Sequence, residues 1–226
     1  VMIDEIQHVP EFEDVLNSYL HIKNVDVYVT GSNARFLSKD VITTFRGRGY
    51  EIKVHPLSFS EYYPVSGLSM TMALRQYMLF GGLPQVVQLG TDEQKSEFLK
   101  SLMEHTYLRD VVDRYKIRNT NVMDELLNIL ASSIGGLTNP TKLANTFESV
   151  RHEKVGNKTI SAYIDYLCDS FIMERAARYD IKGKKLIDSP YKYYFMDEGM
   201  RNARLNFRQV EFPHLMENLI YNELRI

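Results

Sequence analysis

A single cysteine, Cys168, in a chain of 226 residues excludes an internal disulfide and any metal site built from several thiolates. That usage fits a reducing compartment. Long apolar runs are missing as well: none approaches the roughly 20 residues that a membrane-crossing helix needs. No signal or transit segment is visible, and the first residue is Val1 rather than methionine. The six histidines are scattered, and His105 has no companion at metal-ligand spacing, which argues against a metal site built on histidines. The expectation is a cytoplasmic protein with no membrane partner.

What is present is ordinary in amount and uneven in placement. Hydrophobic residues make up 44% and charged residues 25%, near the averages for globular proteins, and the length allows one large or two small domains. The net charge of -2 conceals a split. Residues 1–138 carry 13 Lys and Arg against 17 Asp and Glu, whereas residues 139–208 carry 13 against 9. Halves of opposite sign suit different partners.

The chain opens VMIDEIQHVP. Val1, Met2 and Ile3 form a continuous apolar run, as expected of a strand covered on both faces. Phe12, Val15, Leu16, Tyr19 and Leu20 then recur at helical spacing, with Pro10 where a helix start tolerates it. The β-branched run VDVYVT at 25–30 ends in Gly31, Ser32 and Asn33. Strand, helix, strand implies two parallel strands joined by a crossover, and ligands in such sheets sit at the carboxyl ends of the strands. Asp4 and Glu5 occupy one such end; Thr30, Ser32 and Asn33 occupy the other. Acids after a strand also occur simply because they favour a helix dipole, and TGSN alone is an ordinary turn.

An apolar strand ending in Asp-Glu, a helix, and a second apolar strand ending in TGSN resemble the Walker B and sensor-1 segments of the AAA+ P-loop ATPases. A hard Mg²⁺ ion takes carboxylate oxygen, and a second carboxylate can orient or deprotonate an attacking water. The resemblance implies that Asp4 holds the magnesium, that Glu5 polarises the water, and that Asn33, or Ser32 in its place, senses the γ-phosphate. FRGRGYEIKVHPLSFSEYY, residues 45–63, is similar to the segment after sensor 1 in a prokaryotic family of AAA+-like predicted ATPases that carry a C-terminal domain of unknown function. Within it Tyr50, Ile52 and Val54 alternate with Glu51 and Lys53, the pattern of a half-exposed strand ended by Pro56. Arg46 and Arg48 are either nucleotide contacts, since guanidinium forks suit phosphate oxygens, or a solvated basic turn.

The glycine-rich loop that cradles phosphates, G-x-x-x-x-G-K-[ST], does not occur. Gly183-Lys184 is the sole Gly-Lys pair; Lys185 stands where Ser or Thr is required, and the earlier glycine is missing. The resemblance therefore implies a fragment that starts at Walker B. It implies that the full-length protein binds ATP and Mg²⁺ and hydrolyses ATP, while these residues alone bind neither tightly and are inactive.

Residues 70–118 read as helices punctuated by GGLP at 81–84. Phe98, Leu99, Leu102, Met103, Thr106 and Tyr107 make one stripe, and Arg109, Asp110, Asp113 and Arg114 follow at the spacings of ion pairs within a helix. In the resembling family this region is a helical lid. From residue 120 three short helices and a hairpin are expected. Met123, Leu126, Leu127, Leu130 and Ile134 line the first; Asn139 and Pro140 open the second, with Leu143, Ala144 and Phe147 inward. Ile160, Tyr163, Ile164, Leu167 and Phe171 line the third, with Cys168 in its core-facing arc. Strands are expected from Met173 to Tyr179 and from Lys192 to Met196. Three helices and a β-wing make a winged helix. NKTISAYIDYLCDSFIMERAARYD and SPYKYYFMDEGMRNA are similar to the family's winged-helix region.

Two uses of that module stay open. As a DNA reader it presents the third helix to the major groove, with supporting charge from Arg151, Lys154, Lys158, Lys182, Lys184 and Lys185. Against this, Asp165 and Asp169 fall on the outward face, so packing against the lid, another protein or a second copy is the alternative. The terminal run FPHLMENLIYNELRI is amphipathic through Leu215, Leu219, Ile220 and Leu224, and the resembling family continues from such a point into a nuclease-like α/β region. The expected fold is an α/β remnant of an AAA+ core in a chain that is mainly α. The expected divisions are the back half of the core at 1–64, the lid at 65–119, the winged helix at 120–208 and the start of a further region at 209–226.

Overall fold

A computed structural model describes residues 1–6, 9–32, 49–152, 154–177, 190–208 and 210–225. The chain is mainly helical and divides into two compact units, one of residues 1–54 with 169–171 and one of residues 55–168 with 172–226.

In the first unit β1 (Met2–Ile3), α1 (Phe12–Tyr19) and β2 (Tyr28–Val29) follow one another, and the strands pair in parallel with Met2 opposite Tyr28 and Ile3 opposite Val29. Strand alternation sends Ile3, Val27 and Val29 onto a small core of Ile6, Phe12 and Leu16. Burying Phe12 or Leu16 contributes about 1.5–3 kcal/mol each. The same alternation leaves Met2 86% exposed and Tyr28 57% exposed, so β1 is covered on one face and not on both. The helix starts at Phe12, after Glu11 in a left-handed conformation (φ 52°), two residues later than Pro10 suggests. Residues 49–57 form no strand, and Tyr50 and Val54 are almost fully exposed. The alternating pattern was present, but a strand needs a ladder of hydrogen bonds with a neighbour, and Tyr50, Ile52 and Val54 form no ladder among the described residues.

The second unit begins with α2 (Phe59–Ser66), α3 (Met70–Phe80), α4 (Pro84–Val87) and α5 (Asp92–Ser101). A π-helical segment, Leu102–Leu108, carries the chain without a break into α6 (Arg109–Tyr115). The stripe through Leu99 and Met103 is buried across that junction. Arg109 and Arg114 pair with Asp113 at 3.8 Å and Asp110 at 2.7 Å, the intrahelical arrangement that their spacing implies.

Next come α7 (Thr120–Ser132), α8 (Pro140–Thr146) running into a second π-helical segment, Phe147–Arg151, then α9 (Asn157–Asp169). Met123, Leu126, Leu127, Leu130 and Ile134 are all essentially buried. Asn139 caps α8, its side chain accepting the Lys142 N–H at 2.7 Å. α9 ends at Asp169, before Phe171. β3 (Met173–Ala176) and β4 (Lys192–Phe195) pair antiparallel, and an isolated bridge joins Thr138 to Tyr191. α10 (Glu198–Arg204) packs on α3, α5 and α7, and α11 (Phe212–Glu223) packs on α3, α10 and β4.

Helix α11 departs from its expected face. Leu215 and Leu219 are buried as expected, but Ile220 is 49% and Leu224 81% exposed, and Asn218 is buried instead. A reading that counts only apolar residues as inward misplaces such a helix, because this one faces a polar seam. No helix among the described residues is long and apolar enough to cross a membrane.

Candidate functional site

The carboxyl ends of the two parallel strands bring one set of oxygens together. The Thr30 hydroxyl donates to the Asp4 carboxylate and accepts the Glu5 backbone N–H at 3.0 Å. Ser32 donates from its hydroxyl to Glu5 Oε2 at 3.2 Å. Backbone bonds tighten the same turn: the Thr30 N–H donates to the Ile3 carbonyl and the Ile6 N–H to the Thr30 carbonyl, each at 3.0 Å. Glu5 itself has φ 49°, a left-handed conformation that L-residues adopt at a cost. Asp4 is exposed and Glu5 half-buried, so both carboxylates stay within reach of a ligand.

Asp4, Glu5 and Ser32 are thus brought together, whereas Asn33, Arg46 and Arg48 lie outside the described residues. Thr30, placed at this strand end by the sequence, was given no role there. Its signal was available, a hydroxyl at the last position of a β-branched run whose partner strand ends in an acid. The donors are carboxylate and hydroxyl oxygens without sulfur or imidazole, a set that suits a hard cation such as Mg²⁺. No group of three or more His, Cys, Asp or Glu is arranged for a metal among the described residues. A Mg²⁺ site needs no such cage when one or two carboxylates share the ion with substrate phosphates.

The residues considered for DNA fall only partly within the described residues. Arg151 is ion-paired with Glu125, while Lys154 and Lys158 are exposed. Lys182, Lys184 and Lys185 lie outside the described residues. On α9, Asp165 is ion-paired with Arg175, and Tyr166 stacks on Tyr115 with ring centres 3.8 Å apart.

A second polar cluster, in the other unit, joins three segments that are far apart in the sequence. The Asp197 carboxylate caps α10 by accepting the Met200 N–H at 3.0 Å and also accepts the Gly82 N–H at 2.8 Å. Gly82 in turn gives its carbonyl to the Leu57 N–H at 2.8 Å, and Tyr77 donates its hydroxyl to the Leu57 carbonyl at 2.6 Å. PLSFSEYY, GGLP and MDEGMRNA therefore meet at one place. Beside them the Glu198 carboxylate accepts from Asn218 at 2.9 Å and Asn222 at 3.3 Å. Burial pushes Asp197 up to about 6; burial and then the charge of Asp197 push Glu198 up to about 8. Both acids are almost fully buried, and their hydrogen bonds brace the fold.

Comparison with known proteins also parts the chain in two, at a later residue. Residues 1–63 match a family described as an AAA domain, and residues 71–211 match one described as a domain of unknown function, DUF8612. An uncharacterized protein of Haemophilus influenzae is 32% identical over 228 residues, covering 99% of this chain and 56% of its own length. An uncharacterized protein of Methanocaldococcus jannaschii is 27% identical over 237 residues, covering 100% of this chain and 52% of its own length. The chain spans about half the length of these curated relatives. Among solved structures, the Walker-type ATPase PABY2304 of Pyrococcus abyssi superposes with a TM-score of 0.59 at 14% identity, over 91% of this chain and 62% of that one. At that identity the likeness is one of fold.

Proposed function

The chain belongs to the DUF8612 family, with an AAA domain matched ahead of that region, and on this premise we propose that residues 1–64 are the Walker B and sensor-1 part of a P-loop ATPase. The observation that carries the reading is the hydrogen-bonded set of Asp4, Thr30, Glu5 and Ser32 at the shared carboxyl end of two parallel strands. In this reading Asp4 holds Mg²⁺, whose bound charge offsets that of the nucleotide phosphates. Glu5 orients or deprotonates the attacking water. Ser32 fixes the Glu5 carboxylate, and Asn33, Arg46 and Arg48 act toward the phosphates. Turnover also requires a phosphate loop, which these 226 residues do not contain, and the reading assigns the activity to a protein of the relatives' length, of which this chain spans about half.

The test is the Mg²⁺ dependence of ATP hydrolysis by the full-length protein. Asp4→Asn is expected to raise the Mg²⁺ concentration needed for half-maximal rate by about tenfold or more. An unchanged Mg²⁺ dependence would remove Asp4 from this role.

For residues 120–208 the reading is a winged helix that packs against protein, and what favours it is the pairing of Arg151 with Glu125 and of Asp165 with Arg175. Three helices, an antiparallel hairpin and the Thr138–Tyr191 bridge support the winged-helix description. A mobility-shift titration with duplex DNA at low salt is expected to show no binding. A salt-sensitive shift lost on charge reversal of Lys182, Lys184 and Lys185 would favour DNA instead.

A further inference from the structure

We propose that Thr30 is the positioning residue of the Asp4–Glu5 pair, its hydroxyl deciding which oxygen of Asp4 is offered to a divalent cation. The inference rests on the reading of Asp4 as a cation ligand. A threonine hydroxyl has one proton to give and lone pairs to receive. Here the Glu5 N–H occupies a lone pair at 3.0 Å, and the proton is directed to Asp4 Oδ1. Asp4 Oδ1 is thereby engaged, so in this proposal Oδ2 is the oxygen offered to a cation. The backbone of the same residue holds the turn on both sides, through Ile3 and Ile6 at 3.0 Å each. Four bonds from one residue thus set the carboxylate of Asp4 and the left-handed backbone of Glu5 together. Partners behind a metal ligand commonly change affinity by about 10–100-fold when removed.

Among the alternatives at this position, serine keeps the hydroxyl, whereas valine keeps the branched shape and deletes it. The experiment titrates Mn²⁺ together with a non-hydrolysable ATP analogue against the full-length protein and follows paramagnetic broadening of the amide signals of Ile3, Asp4, Glu5, Ile6 and Thr30. Chemical shifts elsewhere report whether each variant is folded. Wild type is expected to broaden at these amides. Asp4→Asn should lose the effect, Thr30→Val should raise the apparent Kd by about tenfold, and Thr30→Ser should stay within about twofold of wild type. If Thr30→Val does not fold, Thr30→Ala takes its place in the comparison. Loss with Asp4→Asn but an unchanged Kd with the hydroxyl deleted overturns the role of Thr30 and leaves Asp4 in place. A Thr30→Ser variant as weak as valine overturns it too. No broadening in wild type, or none lost with Asp4→Asn, overturns the cation reading and this inference with it.

Discussion

The Asp197 carboxylate accepts the backbone N–H of Gly82 at 2.8 Å, joining two residues 115 positions apart. Gly81, beside it, has φ 75°, and a Cβ there would run into that same carboxylate. Asp197→Ala leaves the buried N–H groups of Gly82 and Met200 without this acceptor, at about 1–3 kcal/mol for each. Gly81→Ala adds left-handed strain to a steric clash and is expected to cost at least about 1 kcal/mol. Gly90→Ala is the control, since a Cβ at Gly90 meets only the Gln94 side chain at 3.8 Å. Urea denaturation of the three variants should place Asp197→Ala and Gly81→Ala well below wild type and Gly90→Ala close to it.

The same seam makes stability fall as pH rises. Glu198 is pushed from 4.5 up to about 8, so between these values the folded chain binds more protons than the unfolded one. That excess means stability is lost through the window as pH increases. Asp197, pushed from 3.8 up to about 6, adds to the loss at the acid end. Tyr77 and Tyr107 face these acids and are pushed by burial further above the ordinary tyrosine range, so neither titrates in this window. Glu198→Gln should therefore flatten the fall in Tm between about pH 6 and about pH 8.5. A variant with the wild-type slope would show that Glu198 does not carry it.

A smaller prediction concerns the start of α2. Ser58 accepts the Glu61 N–H while the Glu61 carboxylate accepts the Ser58 N–H at 2.8 Å, a reciprocal cap whose serine is buried. Ser58→Ala should cost about 1 kcal/mol by urea denaturation, and Ser58→Thr should recover most of it.

Legibility in the sequence follows what each pattern is able to encode. Apolar periodicity gave the buried faces of α7 and α8, from Met123 to Phe147, because those helices bury only hydrocarbon. The strand–helix–strand order around α1 was readable for the same reason, and it placed Asp4, Glu5 and Ser32 together. Where the interior is polar the pattern carries no signal: Asn218, Glu198 and Arg201 are buried, and nothing in their hydropathy marks them as inward. Asp197 did carry a local sign, an acid directly before a helix, but its bond to Gly82 depends on a contact across 115 residues. Tyr50, Ile52 and Val54 show the opposite failure, an alternation that resembles a strand with no ladder among the described residues to make it one. The two π-helical segments interrupt the stripes at 102–108 and 147–151 without any change of composition to announce them.

The central claim is that Glu5 acts on water in ATP hydrolysis, and Glu5→Gln in the full-length protein tests it most directly. Glutamine keeps the size and an acceptor oxygen but cannot take a proton. Phosphate release at saturating ATP and Mg²⁺ is expected to fall by about 10²–10⁴-fold while the Kd for ATP stays within about threefold of wild type. Turnover at the wild-type rate in that variant would contradict the account.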